Sequence, residues 1–274
     1  MEQKKIAFLG GGNMARSLIS GLIKAGVPSS HIHATDLDAD KIAELAAEYQ
    51  IIGSTDNVAA ASGAEVIVLA VKPQFMADML TKLAESIPDF SGKLVISIAA
   101  GVSISRLSSL LHGHANIVRC MPNTPSLIGA GMTGLFAPIT VSNADRQFAQ
   151  SMLDAVGKSI WVDTETDING VTAASGSGPA YFFLFMQAMV EEAQRMGFST
   201  DAARALVQET ALGAAQMVIA NPEVDLATLR AQVTSKGGTT AAAIQVFEEG
   251  DLLTLVSKAM KAAQHRAEEM ETLF

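Results

Sequence analysis

Short, unbroken apolar runs recur through the first 163 residues, and most are separated by segments with helical spacing. The runs are KIAFLG, HIHATD, AEVIVLAV, KLVISIAA, NIVRCMP and KSIWVD, which begin at residues 5, 31, 64, 93, 116 and 158. Continuous apolar strands alternating with helices are typical of a parallel sheet that is covered on both faces. The sequence therefore predicts an α/β domain with a doubly wound parallel sheet.

After residue 163 the pattern changes to long helical stretches with no convincing strand. The predicted helices cover residues 178–196, 200–220, 226–233, 240–248 and 252–270, and Gly or Asn-Pro breaks separate them. We therefore expect two domains, an α/β domain over residues 1–164 and an all-α domain over residues 165–274.

The glycines after the first strand have the spacing of a dinucleotide cradle. The stretch FLGGGNMARS contains Gly10-x-Gly12-x-x-Ala15, with a strand before it and a helix after it. In a Rossmann-type domain the two glycines allow a tight turn and close approach to a pyrophosphate, while the small third residue lets the helix pack on the strand. The alternative is a glycine-rich turn in an unrelated α/β fold. The predicted contacts from this segment are Gly10, Gly11, Gly12, Asn13, Met14 and Ala15.

Asp36 ends the second predicted strand, where an acidic residue binds the adenosine ribose of NAD and disfavours the 2′-phosphate of NADP. The first basic residue after it is Lys41. This position therefore favours NADH over NADPH. The alternative is that Asp36 or Asp38 caps the next helix.

Three further strand ends are expected to line the cofactor crevice, because ligands bind outside the carboxyl ends of parallel strands. They are LAVKPQ, SIAAGVS and CMPNTP, which begin at residues 69, 97 and 120. The alternative for each is a rigid connector. The residues predicted to contact the cofactor here are Ala70, Val71, Lys72, Pro73, Ala99, Ala100, Met121, Pro122, Asn123 and Thr124.

Composition excludes several other classes of protein. The formal net charge is −9, which argues against a nucleic-acid or membrane-surface partner, and the single cysteine excludes an internal disulfide. No His, Cys, Asp and Glu residues have metal-ligand spacing, so no metal is expected. We find no secretory signal region, and we expect a cytoplasmic protein. The mean hydropathy of +0.29 indicates apolar surface buried between subunits.

Two polar clusters of small residues each precede a predicted helix of the second domain. They are ASGSGPAY, from residue 174, and TSKGGTT, from residue 234. Backbone N–H groups at a helix N-terminus form an anion site, and paired glycines allow them to converge. The second cluster therefore suits a small carboxylate. The alternative is ordinary helix capping by Ser and Thr, which does not explain the paired glycines.

The motifs FLGGGNMA, LAVKPQ, MPNTP, SGSGPAY and VTSKGGTT occur here in the order found in the pyrroline-5-carboxylate reductase family, which the chain resembles over nearly its whole length. The resemblance implies reduction of 1-pyrroline-5-carboxylate to L-proline with NADPH or NADH, the last step of proline biosynthesis. It also implies a Rossmann domain, a helical domain that forms a homodimer, and dimers that often assemble into a decamer.

The resemblance also assigns residues. Gly237, Gly238 and Thr239 match the segment whose backbone holds the substrate carboxylate, and Thr240 matches a threonine that contacts the ring nitrogen. The other residues that it implies are Ser175, Gly176, Ser177 and Gly178 for the substrate and Asn57 for the adenosine half of the cofactor. Thr240 is the candidate catalytic residue. Many relatives have a neutral residue in place of Asp36, which puts the family's usual NADPH preference in doubt.

Two other functions fit parts of the pattern. A β-hydroxyacid dehydrogenase shares the two-domain plan but relies on a lysine on a helix of its second domain, whereas Lys236 lies in a glycine loop. A non-catalytic dinucleotide sensor needs the glycine cradle but not the SKGGTT loop.

Overall fold

The computed structural model describes residues 4–273. An eight-stranded sheet has the order β3-β2-β1-β4-β5-β6-β7-β8, and every neighbouring pair is parallel except β6 with β7. The strands are β1 Ile6–Leu9, β2 Ile32–Thr35, β3 Ile52–Ser54, β4 Val66–Leu69, β5 Leu94–Ser97, β6 Ile117–Met121, β7 Gly131–Phe136 and β8 Gly157–Trp161.

Twelve α-helices occur in the part of the chain that the structure describes. The first seven are α1 Asn13–Lys24, α2 Ala39–Tyr49, α3 Asn57–Ser62, α4 Met76–Ser86, α5 Ile104–Leu110, α6 Asn143–Asp154 and α7 Asp167–Val171. The others are α8 Gly178–Arg195, α9 Thr200–Ala220, α10 Leu226–Gln232, α11 Thr239–Glu249 and α12 Leu252–Leu273.

The contacts divide the chain into two compact units. One unit comprises Met1–Pro179 with Ala262–Phe274, and the other comprises Ala180–Lys261. The first unit contains the whole sheet, and the second is helical. The predicted domain boundary between residues 164 and 165 stays a prediction.

The predicted α/β class is confirmed, and all six predicted strands are present. Sequence patterning missed β3 and β7. β3 is a three-residue edge strand, IGS, whose side chains are largely exposed, so it lacks an apolar run. β7, GMTGLF, contains two glycines and a threonine, which interrupt the expected pattern. As expected, no strand follows Trp161 in the described residues.

The core lies on both faces of the sheet because successive strand side chains point to opposite faces. Ile6 and Phe8 of β1 belong to one buried cluster with residues of α1 and α6. Ala7 and Leu9 belong to the other, with residues of α3, α4 and α5. Burial on both faces explains why these strands are apolar throughout, and it leaves the strand ends as the place for polar chemistry.

A buried guanidinium joins three distant segments of the first unit. Arg119 of β6 is 1% exposed, and its Nη1 lies 3.0 Å from Glu165 Oε1 and 2.7 Å from Glu271 Oε1. Glu165 Oε1 also accepts a 2.7 Å hydrogen bond from the Ile104 N–H at the start of α5. A buried charge needs such partners, so this cluster holds the end of α12 against the sheet.

Candidate functional site

The glycine turn after β1 leaves room for a ligand at the start of α1. Gly10 has a φ of +111°, and a Cβ there would lie 2.7 Å from the backbone carbon and oxygen of Ala70, so only glycine fits. At Gly12 a Cβ would meet nothing within 4 Å. Gly12 is also the N-cap of α1, and no side chain of the described residues caps this helix. The free helix N-terminus therefore fits a phosphate group.

A cavity of about 570 Å³ opens beside this turn. Seven of the predicted cofactor residues line it, namely Gly10, Gly12, Asp36, Asn57, Ala70, Val71 and Lys72. Its size and its position outside the carboxyl ends of β1, β2 and β4 suit the adenosine and pyrophosphate of a dinucleotide. The residues present fit an NAD(P) cofactor at this end.

The Asp36 carboxylate lies at the mouth of the cradle and contacts both the glycine turn and a lysine. Its Oδ2 accepts hydrogen bonds from the Gly11 N–H at 3.0 Å and from Lys41 Nζ at 2.5 Å. Burial raises the pKa of Asp36, but the hydrogen bonds from Lys41, Asp38 and Gly11 outweigh it, and the pKa is below its ordinary value. The carboxylate is therefore charged at neutral pH and is partly neutralised by Lys41.

Asp38 is the N-cap of α2. Its side chain accepts hydrogen bonds from the Asp40 and Lys41 N–H groups at the start of α2, whereas Asp36 makes no such contact. Of the two alternatives for these residues, capping thus applies to Asp38. Asp36 lines the cavity, and its Oδ1 accepts a 3.2 Å hydrogen bond from the Asp38 N–H before the helix begins.

Asn57 is held at the cavity wall by a buried partner. Its Oδ1 accepts a hydrogen bond from Thr35 Oγ1 at 2.5 Å, while Asp56 caps α3. Asn57 lines the cavity, which is consistent with the predicted role near the adenosine half.

Nine residues that the motifs do not predict also line the cavity, mostly from the segments that follow β2 and β4. They are Leu37, Lys41, Thr55, Val58, Phe75, Asp78, Met79, Lys82 and Leu83. Leu37 is 88% exposed and Phe75 is 55% exposed, so each offers an open apolar surface to a flat ring. Residues that directly follow the motifs could have been predicted from their position in the sequence. Which face of α4 lines the cavity depends on how that helix packs on the sheet.

The other predicted cofactor residues lie outside the lining of this cavity. They are Gly11, Asn13, Met14, Ala15, Pro73, Ala99, Ala100, Met121, Pro122, Asn123 and Thr124. Ala15 is fully buried, which agrees with its expected packing role. The contacts of these residues with a cofactor stay predictions.

The structure brings the end of β6 together with the SGSG segment, 52 residues later. A Cβ at Gly176 would lie 2.6 Å from Met121 Cε, so Met121 packs directly on this glycine. Asn123 Nδ2 donates a 3.0 Å hydrogen bond to the Ser175 carbonyl, and its Oδ1 accepts one from the Met132 N–H at 2.9 Å. Both ends of the Asn123 amide are therefore used by the protein backbone.

In the second unit, the glycine loop ends at an uncapped helix. Gly237 has a φ of +74°, and Gly238 is the N-cap of α11 with no side-chain cap among the described residues. The Gly238 N–H bonds to the Ser235 carbonyl, which leaves the first N–H groups of α11 as the free ones. Thr239 and Thr240 lie in the first turn and are exposed. No Ser or Thr side chain of the described residues caps α11. The free N–H groups at the start of this helix therefore suit a small anion.

Cysteine and metal chemistry find no support in the described part of the chain. Cys120 is 1% exposed, and burial raises the pKa of its thiol, which disfavours a reactive thiolate. Residues 4–273 contain no group of three or more His, Cys, Asp or Glu side chains arranged to hold a metal ion. None of the helices that the structure describes is both long and apolar enough to cross a bilayer.

Two family models match separate parts of the chain. Residues 165–270 match the model described as pyrroline-5-carboxylate reductase dimerisation. Residues 5–101 match the model described as NADP oxidoreductase coenzyme F420-dependent, which covers the glycine cradle and Asp36.

Similar proteins align over almost the full length. A pyrroline-5-carboxylate reductase of Vibrio alginolyticus is 55% identical over 274 residues, all of both chains. The structure of a pyrroline-5-carboxylate reductase from Coxiella burnetii matches with a TM-score of 0.91 and 42% identity, covering 98% of this chain and 99% of that one. That of a Plasmodium falciparum pyrroline carboxylate reductase with NADP bound matches with a TM-score of 0.87 and 27% identity, covering 99% of each.

High identity over the full length, including both the cradle and the SKGGTT loop, separates this chain from β-hydroxyacid dehydrogenases and from a sensor that lacks the second loop. The chain therefore belongs to the pyrroline-5-carboxylate reductase family of NAD(P)-dependent oxidoreductases, which reduce 1-pyrroline-5-carboxylate to proline.

Proposed function

We propose that this chain catalyses the last step of proline biosynthesis, with Gly237, Gly238 and Thr239 holding the substrate carboxylate and Thr240 acting on the imine nitrogen. The observation that carries this proposal is the uncapped N-terminus of α11 directly after Gly237 and Gly238. A carboxylate is the small anion that such a group of N–H donors binds, and the substrate has one carboxylate.

The cofactor end of the site is proposed on the same basis. The free N-terminus of α1 at Gly12 holds the pyrophosphate, and Asp36 and Asn57 hold the adenosine ribose region. The strand ends at Ala70–Pro73, Ala99–Ala100 and Met121–Thr124 form the remaining wall. When bound, the dinucleotide supplies a hydride from nicotinamide C4 to the imine carbon.

The chain contributes orientation and polarisation to this reaction. As the imine carbon receives the hydride, negative charge develops on the ring nitrogen unless a donor is in place. The Thr240 hydroxyl, exposed in the first turn of α11, is the proposed donor, directly or through a water molecule. The loop over residues 234–240 contains no histidine and no carboxylic acid, so correct placement of the two reactants supplies much of the rate.

Initial rates of nicotinamide oxidation with 1-pyrroline-5-carboxylate test the proposal, measured in parallel with NADH and NADPH. Thr240→Ala should lower turnover by roughly 10- to 1000-fold, the range for loss of one polarising donor. Thr228→Ala is a matched control, because Thr228 also lies in the first turn of a helix, where its N–H and hydroxyl donate to the α10 cap Asp225, outside the loop. Unchanged kcat/KM in Thr240→Ala would remove Thr240 from the mechanism.

A second test separates the enzyme from a dinucleotide sensor. L-Proline should raise the melting temperature when the nicotinamide cofactor is present, because a ligand that binds only the folded state stabilises it. A sensor without a carboxylate site shows no such shift.

The protein is a homo-oligomer, and the exposed apolar residues of the second unit indicate the surface involved. Phe182, Phe183 and Leu184 of α8 are 62–70% exposed, within the region that matches the dimerisation model. Side chains of this kind are rarely left in water over a large patch. We propose a dimer through this surface, assembly of dimers into a decamer, a cytoplasmic location, and no nucleic-acid or membrane partner. Light scattering at micromolar concentration tests the first two points, and a monomer would contradict both.

A further inference from the structure

We propose that Asn123 is a positioning residue, which ties the substrate segment Ser175–Gly178 to the cofactor wall at the end of β6 and so sets the distance for hydride transfer. The inference rests on the proposed function, because it takes these two segments as the walls of the reaction site.

The side chain of Asn123 is committed to the protein backbone. Asn123 is 8% exposed and is the N-cap of the 3₁₀ helix Thr124–Ile128, yet its side chain makes no cap hydrogen bond. It instead reaches Met132 on β7 and the Ser175 carbonyl. A buried amide whose donor and acceptor are both used in this way fixes the relative position of the segments that it joins.

The Ser175 carbonyl lacks the donor that an α-helix normally supplies four residues later. Residues Thr172–Gly176 form a π-helical turn between α7 and α8, in which the Ser177 N–H bonds to the Thr172 carbonyl at 2.8 Å. In a continuing α-helix the Ser175 carbonyl would accept from residue 179, which is proline and has no N–H. Asn123 Nδ2 supplies the donor that Pro179 lacks.

Side-chain packing reinforces the same junction. Met121 lies at the end of β6, and its Cε fills the space where a Cβ of Gly176 would stand, 2.6 Å away. The segments at residues 121–124 and 175–178 therefore meet through one hydrogen bond and one close apolar contact. Single-turn π-helical segments are frequent at functional sites, and this one includes Ser175 and Gly176, which make the two contacts with residues 121–124.

The test compares Asn123→Asp and Asn123→Ala with wild type and with Asn116→Ala. Asn123→Asp keeps the acceptor for Met132 but turns a second oxygen towards the Ser175 carbonyl. Asn116 lies just before the start of β6 and is the matched control, because its side chain also makes two hydrogen bonds, which Nδ2 donates to the Lys93 carbonyl and to Asp145. The readouts are kcat, the KM for each substrate, the cofactor Kd, the melting temperature, and the isotope effect with nicotinamide deuterated at C4.

Positioning predicts a specific combination of results. Both Asn123 variants should lose roughly 10- to 100-fold in kcat, because a displacement of about 1 Å costs this much in rate. The cofactor Kd should change less than about threefold, and the deuterium isotope effect should rise as hydride transfer becomes rate-limiting. Asn116→Ala should keep its kcat. A cofactor Kd weakened tenfold or more with unchanged kcat would show that Asn123 is a cofactor ligand instead, and a kcat loss no larger than in Asn116→Ala would show a merely structural role.

The double variant Asn123→Ala/Pro179→Ala separates positioning from hydrogen-bond satisfaction. The Pro179→Ala change restores a backbone N–H that the Ser175 carbonyl can accept from, so the melting temperature should recover while kcat stays low. Recovery of kcat would overturn the inference. Wild-type activity is measured alongside. An inactive wild type would contradict both the proposed function and this inference. An active wild type with equally active Asn123 variants would contradict only the inference.

Discussion

Replacing Asp36 and Lys41 one at a time should move the cofactor preference in opposite directions. Asp36 faces the cavity where the adenosine ribose is proposed to bind, and Lys41 Nζ lies 2.5 Å from its Oδ2. Asp36→Ser removes the carboxylate that opposes a 2′-phosphate and grips a free 2′-hydroxyl. Lys41→Ala leaves that carboxylate unneutralised and removes a cation that favours a phosphate.

The size of each effect follows from the exposure of the pair. Two unit charges about 5 Å apart interact by roughly 3 kcal/mol at an effective dielectric constant of about 20. The side chains of Lys41 and Asp36 are 43% and 19% exposed, so solvent screening lowers this to about 1–2 kcal/mol. Since 1.4 kcal/mol corresponds to a factor of ten, each charge changes kcat/KM for NADPH by roughly 5- to 30-fold.

The expected pattern is therefore asymmetric between the two cofactors. Asp36→Ser should raise kcat/KM for NADPH by this factor and should lower it for NADH by roughly 10-fold or more, because a charge-assisted hydrogen bond contributes about 1.5–3 kcal/mol. Lys41→Ala should lower kcat/KM for NADPH and change it for NADH by less than about threefold.

Initial rates at a fixed, saturating concentration of 1-pyrroline-5-carboxylate give both ratios from one set of assays. Lys24→Ala is the control, because Lys24 is exposed at the end of α1 and does not line the cavity. Shifts of the preference in the same direction for both variants, or no shift in either, would refute the assignment of this pair to the ribose end of the cofactor.

Three further predictions concern the scaffold of the site. Gly10→Ala should lower the free energy of unfolding by at least about 2 kcal/mol, because Gly10 has a positive φ and a Cβ there would clash with the backbone of Ala70. Gly12→Ala should change the free energy of unfolding by less than about 0.5 kcal/mol yet weaken cofactor binding about tenfold. Thermal melts measure the first quantity and cofactor titrations the second. Glu271→Gln should lower the free energy of unfolding by about 1–3 kcal/mol, because it leaves the buried Arg119 guanidinium with one carboxylate. The control Glu269→Gln, whose carboxylate pairs with Arg266 at the surface, should change it by less than about 0.5 kcal/mol. Equal melting temperatures for the two variants would contradict this. Burial lowers the pKa of His33 in the folded protein, so the unfolded state binds the proton more readily. The free energy of unfolding should therefore fall as the pH drops below about 6.5. In thermal melts over a pH series, His33→Asn should reduce that fall.

Much of the fold was predictable because its signals are local. The buried strands are apolar throughout, and the bounds of α9, Thr200–Ala220, agree with the prediction residue by residue. β7 escaped prediction because its two glycines break the apolar pattern, and its antiparallel pairing with β6 depends on a partner that patterning does not reveal.

The candidate site divides in the same way. The spacing of Gly10, Gly12 and Asp36 predicted three residues that line the cavity. Each is recognisable from sequence because the turn or the strand end requires that type of residue at that position. Lys41 was passed over for its distance in sequence from Asp36, although the start of α2 brings it within 2.5 Å. The position of Asn123 after β6 predicts a contact with the cofactor, whereas its hydrogen bonds with Met132 and Ser175 depend on packing that the sequence does not show.

The sequence by itself determined the alternation of strands and helices, the glycine cradle and the two loops of small residues, because backbone conformation and side-chain size are properties of neighbouring residues. Only the tertiary structure decided which side chains meet across long separations, as Asn123 meets Ser175 and Arg119 meets Glu271. Such contacts arise because buried polar groups must find partners once the core has closed, and the partner is whichever group the packing brings within reach.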